Sequence, residues 1–404
     1  MTLIALTAAR IFTPLEIIED GVVLIEDGVI RAAGPREAVT VPAAARRVEL
    51  GDKILAPGFV DVHIHGAAGH DVMEGTSEAL ESVAAFVLEH GTTCFVPTTL
   101  SASPPVLLRA LEGLSATMRS WKTKPPFGAP RAEPVGIHLE GPFLSAECRG
   151  VHLREHLQPP SGKLFEELLS AAGGALRILT LAPELEGASE LQAAAMQNGV
   201  RVALGHSNAS YEQAERAIAA GAAHAVHVYN AMRPFAHRDP GILGAVLTDD
   251  RVVAEVIADG VHVSEPALRL LVRAKSISRI ALVTDGVSAT GMGPGRYLLG
   301  GMEILVSENP VGDDPRTGQL VCRNSEGKLA GSVLTQDCAV RNMMRLTGIS
   351  LCDAVRMASW NPAQLIGLGD RKGSLRPGAD ADLVVLEPNG DVMGVMVAGI
   401  GNFV

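Results

Sequence analysis

Between residues 59 and 284 the chain repeats one alternation eight times. Short apolar or β-branched runs occupy 59–64, 93–96, 135–139, 177–182, 201–205, 225–228, 253–258 and 280–284. Most are separated by Ala-, Leu- and Glu-rich stretches with helical spacing, such as 77–90, 189–198 and 210–220, the last closed by Gly221 in a C-cap role. Strand and helix in alternation predict parallel strands joined by helical crossovers. Eight such units, with no glycine-rich dinucleotide loop after the first strand, favour a closed (β/α)8 TIM-like barrel over an open sheet.

The polar residues sharpen that expectation. The runs end in His63 and His65, then Glu140, His206, His227 and Asp285, each at or just past a strand's C-terminal end. In a barrel those ends share one rim, the rim that carries the chemistry of barrel enzymes. His63 and His65 are two apart in a strand, so both imidazoles point to one face. Two neutral nitrogen donors on one face suit a zinc-class divalent metal. Taken singly, each has a plainer reading: polar strand-end histidines, or an exposed loop acid at Glu140. In succession they predict a bound divalent ion, because a rim crowded with unpaired imidazoles and carboxylates would be costly to desolvate. Asp285, followed by Gly286, is either a turn aspartate or, beside a metal, the group that takes a proton from water and passes it to a leaving group.

Other residues read as structural or unassigned. His90 ends a helical stretch, His138 and His224 lie inside strands, and His70 and His156 have no assigned role. Cys148 lies on a loop near the expected mouth. The glycines of 291–295 have the wrong spacing for a phosphate loop and predict an irregular connection. There is no nucleophile elbow, Walker loop or His-Glu-x-x-His helix.

The two ends differ in texture. Asp20-Gly21 and Asp27-Gly28 bracket a short apolar run and predict hairpin turns, and 373–386 and 392–400 are again strand-like. These ends are expected to form one small β-sandwich domain, giving parts 1–54 and 369–404 around a barrel at 55–368. With 34 basic against 45 acidic residues, a net charge of −11, the chain is a poor candidate for nucleic-acid binding. No uncharged apolar run reaches membrane-spanning length. Five cysteines without a CxxC pair and a start without a secretory signal point to the reducing cytoplasm.

Residues 57–66 (PGFVDVHIHG) and 378–386 (GADADLVVL) resemble the metal-dependent amidohydrolase superfamily. Within it, 136–143 (GIHLEGPF), 204–207 (LGHS), 227–232 (HVYNAM), 259–262 (DGVH), 283–286 (VTDG) and 329–332 (LAGS) resemble, in the same order, the deacetylases of N-acetylated amino-sugar 6-phosphates. The resemblance implies hydrolysis of the acetamide of N-acetyl-D-glucosamine 6-phosphate to D-glucosamine 6-phosphate and acetate, in amino-sugar catabolism and cell-wall sugar recycling. It implies Glu140, His206 and His227 as metal ligands and Asp285 as catalytic acid/base. His262 would hold the acetyl carbonyl, Asn230 and Ala231 the sugar and phosphate side, and Arg238 the 6-phosphate. Val151 and His152 would lie on a loop closing over the sugar, with Leu329, Ala330 and Gly331 lining the acetyl pocket. Many amidohydrolases bridge two metals with a carboxylated lysine on the fourth strand, but here Pro183 and Glu184 follow that strand and Glu140 would serve instead. Some of these deacetylases have lost the His-x-His pair; this chain keeps it, which implies a second ion at His63 and His65, with Asp285 also counted among the metal-contacting residues. The implied metal is Zn2+, with Fe2+, Mn2+ or Co2+ as alternatives, and the implied assembly is a homodimer. The galactosamine epimer of the substrate, a cyclic amide and an inactive scaffold are the rival readings.

Overall fold

The computed structural model describes residues 2–123, 130–309 and 320–402. Its centre is a closed barrel of eight parallel strands: β1 (Phe59–Ile64), β2 (Thr92–Thr99), β3 (Ile137–Glu140), β4 (Leu176–Leu181), β5 (Arg201–Leu204), β6 (His224–Ala225), β7 (Val253–Ile257) and β8 (Ile280–Val283). Neighbours pair in sequence order from β1–β2 to β7–β8. The seam closes where Ile64 bridges Gly286 and the Asp285 N–H donates to the His63 carbonyl at 2.9 Å. Every residue of β1, β2, β3, β7 and β8 is buried, which explains near-continuous apolar runs in place of alternation.

The helices form as their caps and spacing dictate. In Ser77–Glu89, the Thr76 side chain accepts from the Ala79 N–H, and Leu80, Val83, Ala84 and Val87 face the barrel. Strand β6 stops at Ala225, earlier than its apolar run suggests, because His227, Tyr229 and Ala231 all take left-handed backbone and turn the chain across the rim.

The two ends meet in one eight-stranded sheet. Ile54–Pro57 runs parallel to Leu3–Phe12 and antiparallel to Leu383–Leu386, so it joins the N-terminal and C-terminal strands. The far edge of the sheet curls back, with Ile30 N–H donating to the Ala379 carbonyl (2.9 Å) and Gly378 N–H to the Ile30 carbonyl (2.8 Å). The two layers of the expected sandwich are thus the halves of one curled sheet, closed over Leu6, Ile11, Val23, Leu55, Leu383 and Val385.

Two local expectations are corrected, and one element was not anticipated. Asp27-Gly28 makes its hairpin turn, but Asp20-Gly21 lies within the continuous strand Ile17–Glu26, where the positive φ of Asp20 kinks the strand without reversing it. Strand 373–386 is shortened to Leu383–Leu386; the preceding stretch is tied to Lys372, whose ammonium lies 2.7 Å from Asp382, 2.7 Å from Glu133 and 3.0 Å from Asp380. A three-stranded antiparallel sheet, Gly295–Leu299, Met302–Glu308 and Leu320–Asn324, follows β8 and walls one side of the rim. Gly300-Gly301, both at positive φ, forms its first turn, a hairpin signal present in the sequence but not read there. No helix among the described residues is long and apolar enough to cross a membrane.

Candidate metal and catalytic site

At the C-terminal rim the strand-end residues converge on Glu140, which ends β3 and is 2% exposed. Its Oε1 lies 3.1 Å from His206 Nε2 and 3.0 Å from His227 Nε2, and those two nitrogens are 3.1 Å apart. His63 Nε2 approaches the same oxygen at 3.4 Å and Asp285 Oδ1 at 3.6 Å. His65 Nε2 lies 3.3 Å from Glu140 Oε2 and 3.2 Å from Asp285 Oδ1. Three overlapping groups could each hold an ion: His63, Glu140 and His227; His63, His65 and Asp285; Glu140, His152 and His206.

The rings are aimed by their remote nitrogens. His65 Nδ1 lies 3.0 Å from the Thr98 carbonyl, His206 Nδ1 3.1 Å from the Cys148 carbonyl, and His63 Nδ1 2.9 Å from Glu255. Cys148 therefore meets the site through its backbone, while burial pushes its thiol pKa up. Three rim residues, His206, His227 and Asp285, sit at φ 46°, 27° and 49°, a left-handed backbone that turns each side chain inward. Gly286, just past Asp285, is closely surrounded at the seam. A Cβ there would meet the Thr284 and Thr290 hydroxyls at 3.2 Å and the Gly66 carbonyl at 3.4 Å, so the glycine admits the backbone just past the first strand at the seam.

Charge in the site is strongly coupled. Burial alone would push the Glu140 pKa up, but His63 and His206 outweigh it and hold the carboxyl well below its usual range. Burial would likewise depress His65, yet hydrogen bonds to Asp285 and Glu140 carry it to about 9. His63 is raised in the same sense, chiefly by Glu140 and Glu255 against its burial. Imidazoles and carboxylates thus face one another where a divalent ion would compete for the same electron pairs. Nitrogen and carboxylate donors facing one point, with His63 Nε2 buried and without a hydrogen bond, fit such an ion.

A cavity of about 140 Å³ opens over this cluster, and the sequence-expected Val151, His152, Asn230, Ala231, His262, Leu329 and Gly331 all line it with His65, Glu140, His206, His227 and Asp285. Two expected residues stand elsewhere. Ala330 is fully buried among Val287, Leu299 and Cys322, with its methyl in the wall's core. Arg238 is exposed and does not line the cavity; Asp239 pairs with Arg233, leaving Arg238 without an ion pair among the described residues. His152 lies deeper than a sugar-closing loop implies. Its Nε2 is 3.4 Å from Glu140, its Nδ1 2.8 Å from the Ser101 hydroxyl, and burial pushes its pKa down to about 4. His262 Nδ1 meets Asp259 at 2.6 Å.

Two supporting acids, Glu255 and Asp61, went unread in the sequence, whereas His138 and His224 are read there as structural. Glu255 contacts His63 and His224, Asp61 accepts from the Thr284 hydroxyl at 2.5 Å with its pKa pushed to about 7 by burial, and His138 Nε2 lies 2.7 Å from Thr180. The available signal was a lone acid inside an otherwise apolar strand, at Asp61 and at Glu255.

A profile described as "Amidohydrolase family" matches residues 54–400. The chain belongs to the amidohydrolase family. This amidohydrolase is 36% identical over 383 residues to the N-acetylglucosamine-6-phosphate deacetylase of Bacillus subtilis, covering 95% of this chain and 93% of the relative. It is also 36% identical over 394 residues to the N-acetylgalactosamine-6-phosphate deacetylase of Escherichia coli O157:H7, covering 98% of each. Among solved structures, N-acetyl-D-glucosamine-6-phosphate deacetylase from Mycobacterium smegmatis, in complex with N-acetyl-D-glucosamine-6-phosphate, superposes with a TM-score of 0.89 at 34% identity over 99% of both chains.

Proposed function

We propose that this amidohydrolase hydrolyses the acetamide of N-acetyl-D-glucosamine 6-phosphate, with water giving acetate and D-glucosamine 6-phosphate. The observation that carries the reading is the meeting of Glu140, His206 and His227 with Asp285 in one cavity, in a chain similar from end to end to deacetylases of such sugars. Glu140, His206 and His227 would hold a divalent ion, zinc in the first instance, and His63, His65 and Asp285 a second. Such an ion supplies Lewis-acid polarisation of the acetamide carbonyl and of water.

The chain's own residues do the rest. Asp285 removes a proton from the attacking water as its oxygen bonds to the carbonyl carbon, then returns a proton to the nitrogen as the C–N bond breaks. His262, oriented by Asp259, donates to the oxygen on which negative charge develops. Val151, His152, Asn230 and Ala231 surround the sugar, Leu329 and Gly331 the acetyl group, and Arg238 takes the 6-phosphate from outside the cavity described above. The five cysteines stay unpaired, in keeping with a cytoplasmic enzyme, and a homodimer belongs to the same reading.

The similarity to the galactosamine-type deacetylase favours one second reading, the C4 epimer of the same substrate. Acetate release from both 6-phosphate epimers, measured with metal content on one sample, tests both. Faster release from the glucosamine-type sugar is expected; no release from either would overturn the reading, and a preference for the other epimer would select the second.

A further inference from the structure

Strand β7 is buried throughout, and its single charged residue is Glu255. The Glu255 carboxylate does not reach the cavity. It lies between two imidazoles instead: Oε2 is 2.9 Å from His63 Nδ1 and Oε1 is 2.6 Å from His224 Nε2. Oε2 also accepts a long hydrogen bond, 3.4 Å, from the backbone N–H of His227. Taking a carboxylate out of water is costly unless each oxygen is engaged, and here each is.

We propose that Glu255 is a positioning residue for metal binding: it turns His63 so that Nε2 faces Glu140 and Asp285, and thereby sets the affinity of the histidine-pair position. With Nδ1–H donated to Glu255, the ring's free electron pair is at Nε2, the buried nitrogen that has no hydrogen bond of its own. A carboxylate behind an imidazole in this way fixes tautomer and orientation and raises the basicity of the metal-facing nitrogen. His224 completes the arrangement. Its Nδ1 is buried without a partner, so Nε2 is the nitrogen that carries the hydrogen to Glu255 and keeps the carboxylate from rotating away. The other histidines expected to bind metal do not use this device: His65 and His206 rest on main-chain carbonyls, and His227 Nδ1 has no partner among the described residues. Through the His227 N–H the same carboxylate also steadies the left-handed backbone of a residue facing Glu140 Oε1.

The inference rests on the reading of His63 as a ligand, and the test separates the two. Co2+ is titrated into metal-free protein, with visible absorption and equilibrium dialysis as readouts, for the native chain, His63→Ala, Glu255→Gln and the double variant. Glu255→Gln is expected to weaken by tenfold or more the same ion that His63→Ala weakens, and to add nothing in the His63→Ala background. Native affinities in Glu255→Gln, or effects that add in full, would overturn the proposal while leaving His63 a ligand. If His63→Ala changes no ion's affinity, the ligand reading falls and the proposal with it. Should Glu255→Gln not fold, Glu255→Asp keeps the charge but withdraws it by one methylene, and the same comparison applies.

Discussion

Asp285 combines two unusual properties: its backbone is left-handed, and its carboxyl pKa is held below the ordinary value, with burial opposed by a hydrogen bond from His65 and the charge of His63. A non-glycine residue in that region stores about 1–3 kcal/mol, which the seam hydrogen bonds must offset. Asp285→Asn preserves size and polarity but cannot take the water proton, so kcat should fall by about a hundredfold or more while substrate still binds, as steady-state kinetics and a binding titration would show. Glu140 meets His63, His65, His206 and His227, and Glu140→Ala should abolish both stoichiometric metal and turnover; metal analysis showing a full complement would remove it from the ligand set. Arg238 is a separate case, exposed and outside the cavity. If Arg238 holds the 6-phosphate as proposed, Arg238→Ala loses a charge-assisted contact worth roughly 1.5–3 kcal/mol and should raise KM for the 6-phosphate sugar by about tenfold or more. Activity on unphosphorylated N-acetylglucosamine should hardly change, and equal losses on both sugars would make Arg238 structural. The strand-end residues were legible because each lies where an apolar run stops. His152 was read only as a loop residue, because its approach to Glu140 depends on how a loop folds over the rim.

At the scale of elements, the closing segment 378–386 has a physical explanation that its resemblance to a family did not supply. Asp380 and Asp382, with Glu133 just before β3, surround the Lys372 ammonium and tie the curled sheet to the base of the barrel. Burial would push the Lys372 pKa down, but Asp382 and the other carboxylates outweigh it and hold the ammonium charged above its usual range. Lys372→Met leaves three acids facing a neutral chain, and should destabilise the fold by about 3–5 kcal/mol, read by chemical denaturation. Metal stoichiometry should be unchanged, since none of these groups touches the rim. Strand positions in the barrel were readable from the sequence because buried parallel strands need unbroken apolar runs. The three-stranded wall lacks such runs: Gly295–Leu299 buries one residue and Met302–Glu308 two, so only alternation and the Gly300-Gly301 turn marked it. Asp20-Gly21 misled for the opposite reason, a turn dipeptide whose positive φ bends a strand held on both sides by neighbours.

For the whole molecule, the seam between β1 and β8 joins the histidine pair to Asp285 across more than half of the chain. During synthesis His63 and His65 emerge early, yet the strand that closes the ring, with Asp285 at its end, follows only after six other strands have been made. A nascent chain therefore carries half of the site as an open edge, with the β1 backbone waiting for a distant partner, a slow kind of contact to form and one exposed to wrong pairing. A fragment ending at residue 279 keeps Glu140, His206 and His227 but has no closing strand, and should hold no stoichiometric ion by dialysis. Supplying residues 280–404 as a separate chain should restore binding if the two pieces assemble. Closing the ring and arming the site are then a single event.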